Sequence, residues 1–220
     1  MDTCTQKIRE IAASLLDGQK VEKVIGYAAG TLPMATSPIA VSDKAEAEKL
    51  VFNSCCGLNL ANYIRNHKGK IAVVAKGCDA RNIINHVVEN QVARESLHII
   101  GVPCSGMVDT KKIAGMFEDD VIEFTEDGEN LTVKSASAEQ KIKKADVLRD
   151  NCTLCMHKNP VIYDERAADE VAEQTLDNPY PDVERIEGLS ADEKWAHFQK
   201  LTENCIRCYA CRNACPLCYC

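Results

Sequence analysis

Cysteine is the residue type in this chain with the clearest capacity for chemistry. Thirteen of the 220 residues are cysteine, and six of them lie in the last sixteen positions, CIRCYACRNACPLCYC. The N-terminal stretch MDTCTQKIREIAASLLDG alternates charged with apolar residues and lacks the order of a signal peptide. Structural disulfides are rare in a reducing compartment, and clustered cytosolic thiols are usually metal ligands. We therefore expect a cytoplasmic protein whose clustered thiols bind metal.

The C-terminal cysteines follow the spacing of a bacterial ferredoxin. Cys205, Cys208 and Cys211 are each separated by two residues, and Cys215 follows after three more, directly before Pro216. Three thiolates on a tightly wound loop can hold one 4Fe–4S cluster, whereas the fourth normally ligates a neighbouring cluster. A structural zinc site would instead favour C-x2-C pairs separated by about 12–20 residues. The spacing therefore predicts iron–sulfur ligation.

The last three cysteines have no second ferredoxin-type run with which to complete a cluster. No second run of the same spacing follows the first one. Cys215, Cys218 and Cys220 are therefore candidate ligands that still need a partner. We expect a longer chain, a remote cysteine or a second subunit to complete their site.

Four further cysteines are candidates for a second cluster. Cys78 lies just past the apolar run KIAVVAKG, and Cys104 lies just past the next apolar run, SLHIIGV. Ligands of open parallel sheets bind at the carboxyl ends of the strands, so both thiols should line one crevice. Together with the pair Cys152 and Cys155 they make four soft ligands, enough for one cluster. The alternative is that the two single cysteines are small buried residues and the pair is a redox pair.

For the other candidate site residues, the sequence pattern that indicates a site is weaker. Cys56 could replace one of the four crevice ligands. Gly26, Tyr27 and Gly30 lie near a predicted strand end in GYAAG, where they could contact a flavin. Cys4 stands alone near the N-terminus and is expected to have no role.

The fold class follows from the pattern of apolar residues. KIAVVAKG, DARNIINHVVENQ and SLHIIGVPC read as strand, helix and strand, and strands that are apolar throughout indicate a parallel sheet covered on both faces. We expect an α/β protein with a small parallel or mixed sheet, flanking helices and a C-terminal ferredoxin-like cysteine-rich segment. The remaining predicted elements are helices at 5–17, 45–52 and 58–67, strands at 21–30 and 37–42, a hairpin at 121–136, and a helix opening at Ser190.

Charge divides the chain into segments. The net charge is −7, but residues 164–193 hold eleven acidic and two basic residues, so the remainder is slightly positive. We predict an α/β domain over 1–163, an acidic linker over 164–189 and the start of a ferredoxin-type domain over 190–220. The chain has no basic stripe and no run of about 18–20 apolar residues, so we expect neither nucleic-acid binding nor membrane insertion.

Three motifs carry a resemblance to a known family. KIAVVAKGCDAR, IIGVPCSGMVD and CTLCMHKNPVIYDE resemble the coenzyme F(420) hydrogenase/dehydrogenase beta-subunit family, and the C-terminal run resembles the ferredoxin-type portion of members that carry both parts. Such proteins are iron–sulfur flavoprotein subunits of anaerobic complexes. The resemblance implies an FAD-binding α/β domain with a 4Fe–4S cluster, for which Cys78, Cys104, Cys152 and Cys155 become the candidate ligands. No residue identifies the deazaflavin carrier itself, so its reduction is not implied.

The functional expectation is an electron-transfer subunit of an anaerobic hydrogenase, formate dehydrogenase or related oxidoreductase complex. It would carry one or two 4Fe–4S clusters and FAD, and its partners would be the catalytic and electron-transfer subunits of that complex. The alternative is a zinc-stabilised scaffold or adaptor without a redox role. The two differ in colour, because an iron–sulfur protein absorbs broadly near ~400 nm and a zinc protein is colourless.

Overall fold

The computed structural model describes residues 3–218. The strands are β1 (Lys23–Ala29), β2 (Thr36–Val41), β3 (Leu50–Val51), β4 (Ile71–Ala75), β5 (Leu97–Gly101), β6 (Val121–Asp127), β7 (Asn130–Ser135), β8 (Glu139–Lys143) and β9 (Glu165–Arg166). The helices are α1 (Thr3–Asp17), α2 (Gly77–Val88), α3 (Thr110–Ala114), α4 (Asp150–Thr153), α5 (Pro181–Glu187), α6 (Ala191–Thr202) and α7 (Ala210–Ala214). Four 3₁₀ helices cover Lys44–Lys49, Leu60–Tyr63, Arg94–Ser96 and Lys144–Val147.

The main sheet is mixed. Its strand order is β2–β1–β4–β5–β9, with β3 paired to β1. β1, β4, β5 and β9 run parallel, whereas β2 and β3 are antiparallel to β1. The α/β class, the mixed sheet and the parallel pairing of the two apolar runs are therefore confirmed.

One hydrophobic cluster joins the sheet to its helices. All five residues of β4 are buried, as expected for a central parallel strand. Ile8 and Leu15 of α1 and Ile83 of α2 pack in the same cluster. Because these side chains recur at helical spacing, each helix presents an apolar stripe to the sheet.

Two predicted helices are shorter than expected. Residues 44–49 form a 3₁₀ helix capped by Asp43, but the following Leu50 and Val51 pair with β1 as strand β3. Residues 60–63 form another 3₁₀ helix, and Asn66 then takes a left-handed conformation with φ 65°. In the first place strand pairing overrides the helical pattern, and in the second a left-handed residue follows the shortened helix.

The predicted hairpin is part of a second, three-stranded antiparallel sheet, β6–β7–β8. Gly128 in its turn has φ 60°, which glycine adopts without strain. Leu131 and Val133 of β7 are fully buried in a small cluster of their own. The sequence did not indicate β8, because only Ile142 of that strand is buried.

The segment predicted as an acidic linker contains ordered elements. β9 extends the main sheet beside β5, and Ala167 enters the main core. Asp164 fixes this strand, because its carboxylate accepts from the Ile99 backbone N–H at 2.7 Å and from Arg94 at 2.7 Å. The sheet therefore extends beyond residue 163.

The C-terminal helices lie on the outside of the molecule. Ser190 and Glu193 form the predicted capping box at the start of α6. Neither α5 nor α6 buries a residue. Across residues 3–218, every helix falls short of the length or the hydrophobicity needed to span a bilayer.

Candidate metal centre

The carboxyl ends of β4 and β5 bring two of the predicted ligands to one edge of the sheet. Ala75 and Gly101 are register partners at the ends of these strands. Lys76, Gly77 and Cys78 follow β4, and Cys104 follows β5 by three residues. The strand-end placement predicted for these two cysteines is therefore observed.

The loop that carries Cys152 and Cys155 reaches the same edge. The Cys104 N–H donates to the Lys158 carbonyl at 2.9 Å, which ties the loop to the end of β5. A Cβ on Gly77 would lie 2.9 Å from the Asn159 carbonyl oxygen, so the loop backbone also packs against the start of α2. Only glycine permits an approach this close.

The thiols at this edge influence one another. Part of the Cys78 residue is exposed, but desolvation of its thiol by the surrounding protein raises the pKa to about 12, and the Asp79 carboxylate and the Cys104 and Cys152 thiols add to the rise. Burial also raises the pKa of Cys104, again with a contribution from Cys152. These thiols therefore favour the neutral form unless a cation compensates their charge.

A buried charged network lies behind Cys78, and the sequence patterns did not indicate it. The Lys76 side chain is 2% exposed and its Nζ lies 2.9 Å from Asp79 Oδ2, a carboxylate that is fully buried. The ammonium also contacts the Tyr27 hydroxyl and donates to the Leu58 carbonyl at 3.0 Å. A lysine that directly follows an entirely apolar strand is the signal that could have revealed this network.

The ion pair favours the charged form of Lys76. Burial by itself disfavours the ammonium, but Asp79 and Tyr27 outweigh it and the pKa of Lys76 lies above its ordinary value. Asp79 also accepts from the backbone N–H groups of Lys76 and Leu60, at 2.9 and 3.3 Å. The carboxylate thus fixes the first turn of α2, on which Cys78 lies.

A cavity of about 700 Å³ opens beside Cys104. Its wall includes Arg9, Phe52, Cys104, Glu126, Lys144 and Asp169. Lys144 donates to Glu126 at 2.7 Å and to Ser105 at 3.0 Å, and Glu126 accepts from the Ser54 N–H at 2.8 Å. The volume falls in the range of pockets that bind small molecules and cofactors.

The donor set at the sheet edge fits a soft metal centre in its chemistry, because thiolates are the ligands of iron–sulfur clusters. Among residues 3–218, no three Cys, His, Asp or Glu side chains form a group close enough to hold a single metal ion. The elements that carry Cys78, Cys104, Cys152 and Cys155 do converge. Ligation by these four cysteines remains a prediction.

The remaining predicted site residues near the sheet are packed inside it. Cys56 is fully buried, and burial raises its pKa to about 11. Tyr27 is 1% exposed, and a Cβ on Gly26 would lie 2.7 Å from Leu50. Neither Gly26 nor Tyr27 presents surface to a flavin in this conformation, whereas Gly30 lies in the exposed turn after β1. The flavin contacts of these three residues stay predictions.

The C-terminal cysteines lie on a tightly turned, exposed segment. Cys205, Cys208 and Cys211 are exposed, and Arg207 and Tyr209, which flank Cys208, have φ near 60°. Left-handed non-glycine residues cost about 1–2 kcal/mol each and concentrate at functional sites. Cys218 is exposed and Cys215 is partly buried; Cys220 lies outside the described residues.

This segment contacts the body of the protein at the 3₁₀ helix Leu60–Tyr63 and near the C-terminal end of α2. Asn62 donates to the Ala214 carbonyl at 2.9 Å. Burial and Arg65 lower the pKa of His86, on the last turns of α2, and the nearby Pro216 carbonyl opposes that effect. Cys78 is eight residues earlier on the same helix, about 12 Å along its axis.

Comparisons with known proteins give distant relatives. No family model matches the chain. The chain is 23% identical over 282 aligned residues to the F(420)-dependent formate dehydrogenase subunit beta of Methanocaldococcus jannaschii, covering 99% of this chain and 73% of the relative. It is 24% identical over 212 residues to F(420)-dependent formate dehydrogenase 1 subunit beta of Methanococcus maripaludis, covering 69% of this chain and 55% of the relative.

Solved structures that are similar include a chain of the F(420)-reducing (NiFe) hydrogenase complex from Methanosarcina barkeri. The match has a TM-score of 0.48 at 12% identity and covers 69% of this chain and 58% of that one.

Proposed function

We propose that this protein is an electron-transfer subunit of an anaerobic oxidoreductase complex, of the beta-subunit type found in hydrogenases and formate dehydrogenases. The observation that carries the proposal is the hydrogen bond between Cys104 and Lys158, which holds the C-x2-C loop against the strand ends. The names of the two formate dehydrogenase relatives support the same class.

Two thiolate sites would hold the redox centres. Cys78, Cys104, Cys152 and Cys155 would bind one 4Fe–4S cluster at the sheet edge. A second 4Fe–4S cluster would have three of its irons bound by Cys205, Cys208 and Cys211, and Cys215 or another cysteine would be its fourth ligand. Such clusters supply one-electron transfer, whereas a flavin accepts two electrons.

The protein's own residues would organise these sites. The Lys158 carbonyl and Gly77 would position the loop, and Asp79 would fix the first turn of α2. Asn62 and the last turns of α2 would contact the C-terminal segment.

The cavity beside Cys104 is the candidate flavin site. It adjoins the end of β5 and holds both a cation, Lys144, and an aromatic residue, Phe52. Glu126 has its pKa lowered, because the hydrogen bonds from Lys144 and Ser54 outweigh its burial. The cations of the cavity wall are Lys144, which pairs with Glu126, and Arg9, which pairs with Glu48, and the phosphate of a cofactor would lie toward them.

The outer face of α6 is the candidate contact with a partner subunit. Trp195, Phe198 and Leu201 are 67%, 52% and 66% exposed and recur at helical spacing on one side of the helix. Residues 164–193, which lead into this helix, hold eleven acidic and two basic residues and so carry a net negative charge. A partner surface that combines an apolar groove with a rim of Lys and Arg would match both features.

The experiment that tests the proposal is metal and sulfide analysis of the anaerobically purified chain, with its visible spectrum before and after dithionite. We expect a brown protein with broad absorbance near ~400 nm that bleaches on reduction, and at least about four irons per chain. A colourless protein with stoichiometric zinc would contradict the proposal and favour the zinc-stabilised scaffold.

A further inference from the structure

A buried ion pair flanks Cys78 in the candidate crevice site. Lys76 and Asp79 are 2% and 0% exposed, with Nζ and Oδ2 at 2.9 Å. Lys76 comes two residues before Cys78, and Asp79 directly follows it. Charges removed from water interact far more strongly with their surroundings than exposed ones do.

The pair is rigid as well as buried. The ammonium is held by Asp79, the Tyr27 hydroxyl and the Leu58 carbonyl, and the carboxylate is held by two backbone N–H groups. Movement of either side chain toward solvent would break several of these hydrogen bonds. Each charge therefore acts on the crevice from a fixed position.

We propose that Lys76 and Asp79 are positioning residues that set, in opposite directions, the reduction potential of the metal centre held by Cys78 and Cys104. The inference rests on the proposed function. Reduction adds one electron, supplied by dithionite in the assay, and so one negative charge to the centre. A fixed cation at Lys76 favours that added charge, whereas a fixed anion at Asp79 opposes it.

Lys76 and Asp79 also flank Cys78 at the start of α2: Lys76 is the residue before the helix, and Asp79 lies in its first turn beside Cys78. Both groups therefore reach the residues that would hold the metal. A surface pair would be screened and would have little such effect.

The test is a dithionite titration of the reconstituted full chain, in which the crevice centre is followed by electron paramagnetic resonance. At the midpoint potential of the wild type, Lys76→Met should lower the ratio of reduced to oxidised centre at least tenfold. For a one-electron centre this equals a fall in reduction potential of about 59 mV. Asp79→Asn should raise the ratio by a similar factor. Lys134→Met, which removes a charge at the far end of the hairpin, should leave it within about twofold.

The outcomes separate the inference from the function on which it rests. Absence of iron from the wild-type chain would overturn both. A wild-type centre with potentials unchanged in the two variants, or shifted in the same direction, would overturn the inference alone. Breaking a buried pair is strongly destabilising. If Lys76→Met does not fold, Asp79→Asn decides: a raised ratio supports the inference, and an unchanged or lower one overturns it.

Discussion

The backbone N–H of Cys104 donates to the carbonyl oxygen of Lys158 at 2.9 Å. This bond joins the end of a central strand to a loop more than fifty residues further along the chain. It brings the C-x2-C pair to the edge where Cys78 also lies. The candidate centre is therefore assembled by the sheet and does not depend on any one local motif.

Gly77→Ala should loosen the crevice site. The added Cβ would press on the carbonyl groups of residues 157–159, one of which it would approach to 2.9 Å. Forced overpacking of this kind costs about 1–3 kcal/mol. We expect a lower free energy of unfolding in urea and faster loss of crevice iron to a chelator.

Gly188→Ala is the matched control for that variant. Gly188 has an ordinary φ of −70°, and its added Cβ would meet the nearest atom at 3.4 Å. Its iron retention and stability should equal those of the wild type. Equal behaviour of the two alanine variants would show that the close approach at Gly77 does not matter to the site.

Cys208→Ser should remove about four irons per chain, because a serine oxygen replaces a thiolate poorly in an iron–sulfur site. Cys208 lies between the left-handed residues Arg207 and Tyr209, at the centre of the turn. Cys4→Ser should leave the iron content unchanged. Iron analysis measures both, and an unchanged count in Cys208→Ser would refute the C-terminal assignment.

Asp164→Asn should destabilise the protein in a pH-dependent way. The hydrogen bonds from Arg94 and from the Ile99 N–H outweigh burial and hold the pKa of Asp164 below its ordinary value. Because the folded-state pKa is depressed, the stabilisation is present above about pH 4 and is lost as the pH falls through the folded-state value.

At pH 7 we therefore expect Asp164→Asn to lower the free energy of unfolding by about 1 kcal/mol. Urea titrations from pH 7 down to about 3 should show the two proteins converging. Asp169→Asn is the control, since that carboxylate is fully exposed and lies 3.8 Å from Arg166. A difference that persists unchanged at low pH would contradict the account.

Trp195→Ala should leave the stability of the isolated chain within about 0.5 kcal/mol of wild type, because the side chain is 67% exposed. Ile83→Ala, in the core face of α2, should instead cost about 2–5 kcal/mol. Urea denaturation measures both. A large loss in Trp195→Ala would mean that α6 packs against the body, and its face would not be free for a partner.

The sequence predicted the strand–helix–strand unit because β4 and β5 are apolar throughout and α2 carries an apolar stripe. It did not predict β9, since a two-residue strand in an acidic stretch has no readable periodicity. It also missed the Lys76–Asp79 pair, because burial of a charge depends on partners distant in the chain, here Tyr27 and Leu58. The lysine at the end of an apolar strand is a local signal for such a pair, but its distant partners cannot be read from the sequence around it.

The central claim is that Cys78, Cys104, Cys152 and Cys155 hold one iron–sulfur cluster. The most direct measurement is an anomalous difference map recorded at the iron absorption edge from anaerobically grown crystals. We predict a compact iron peak among the four sulfur atoms, at thiolate distances of about 2.3 Å. Iron confined to the C-terminal run, or zinc at the sheet edge, would contradict it.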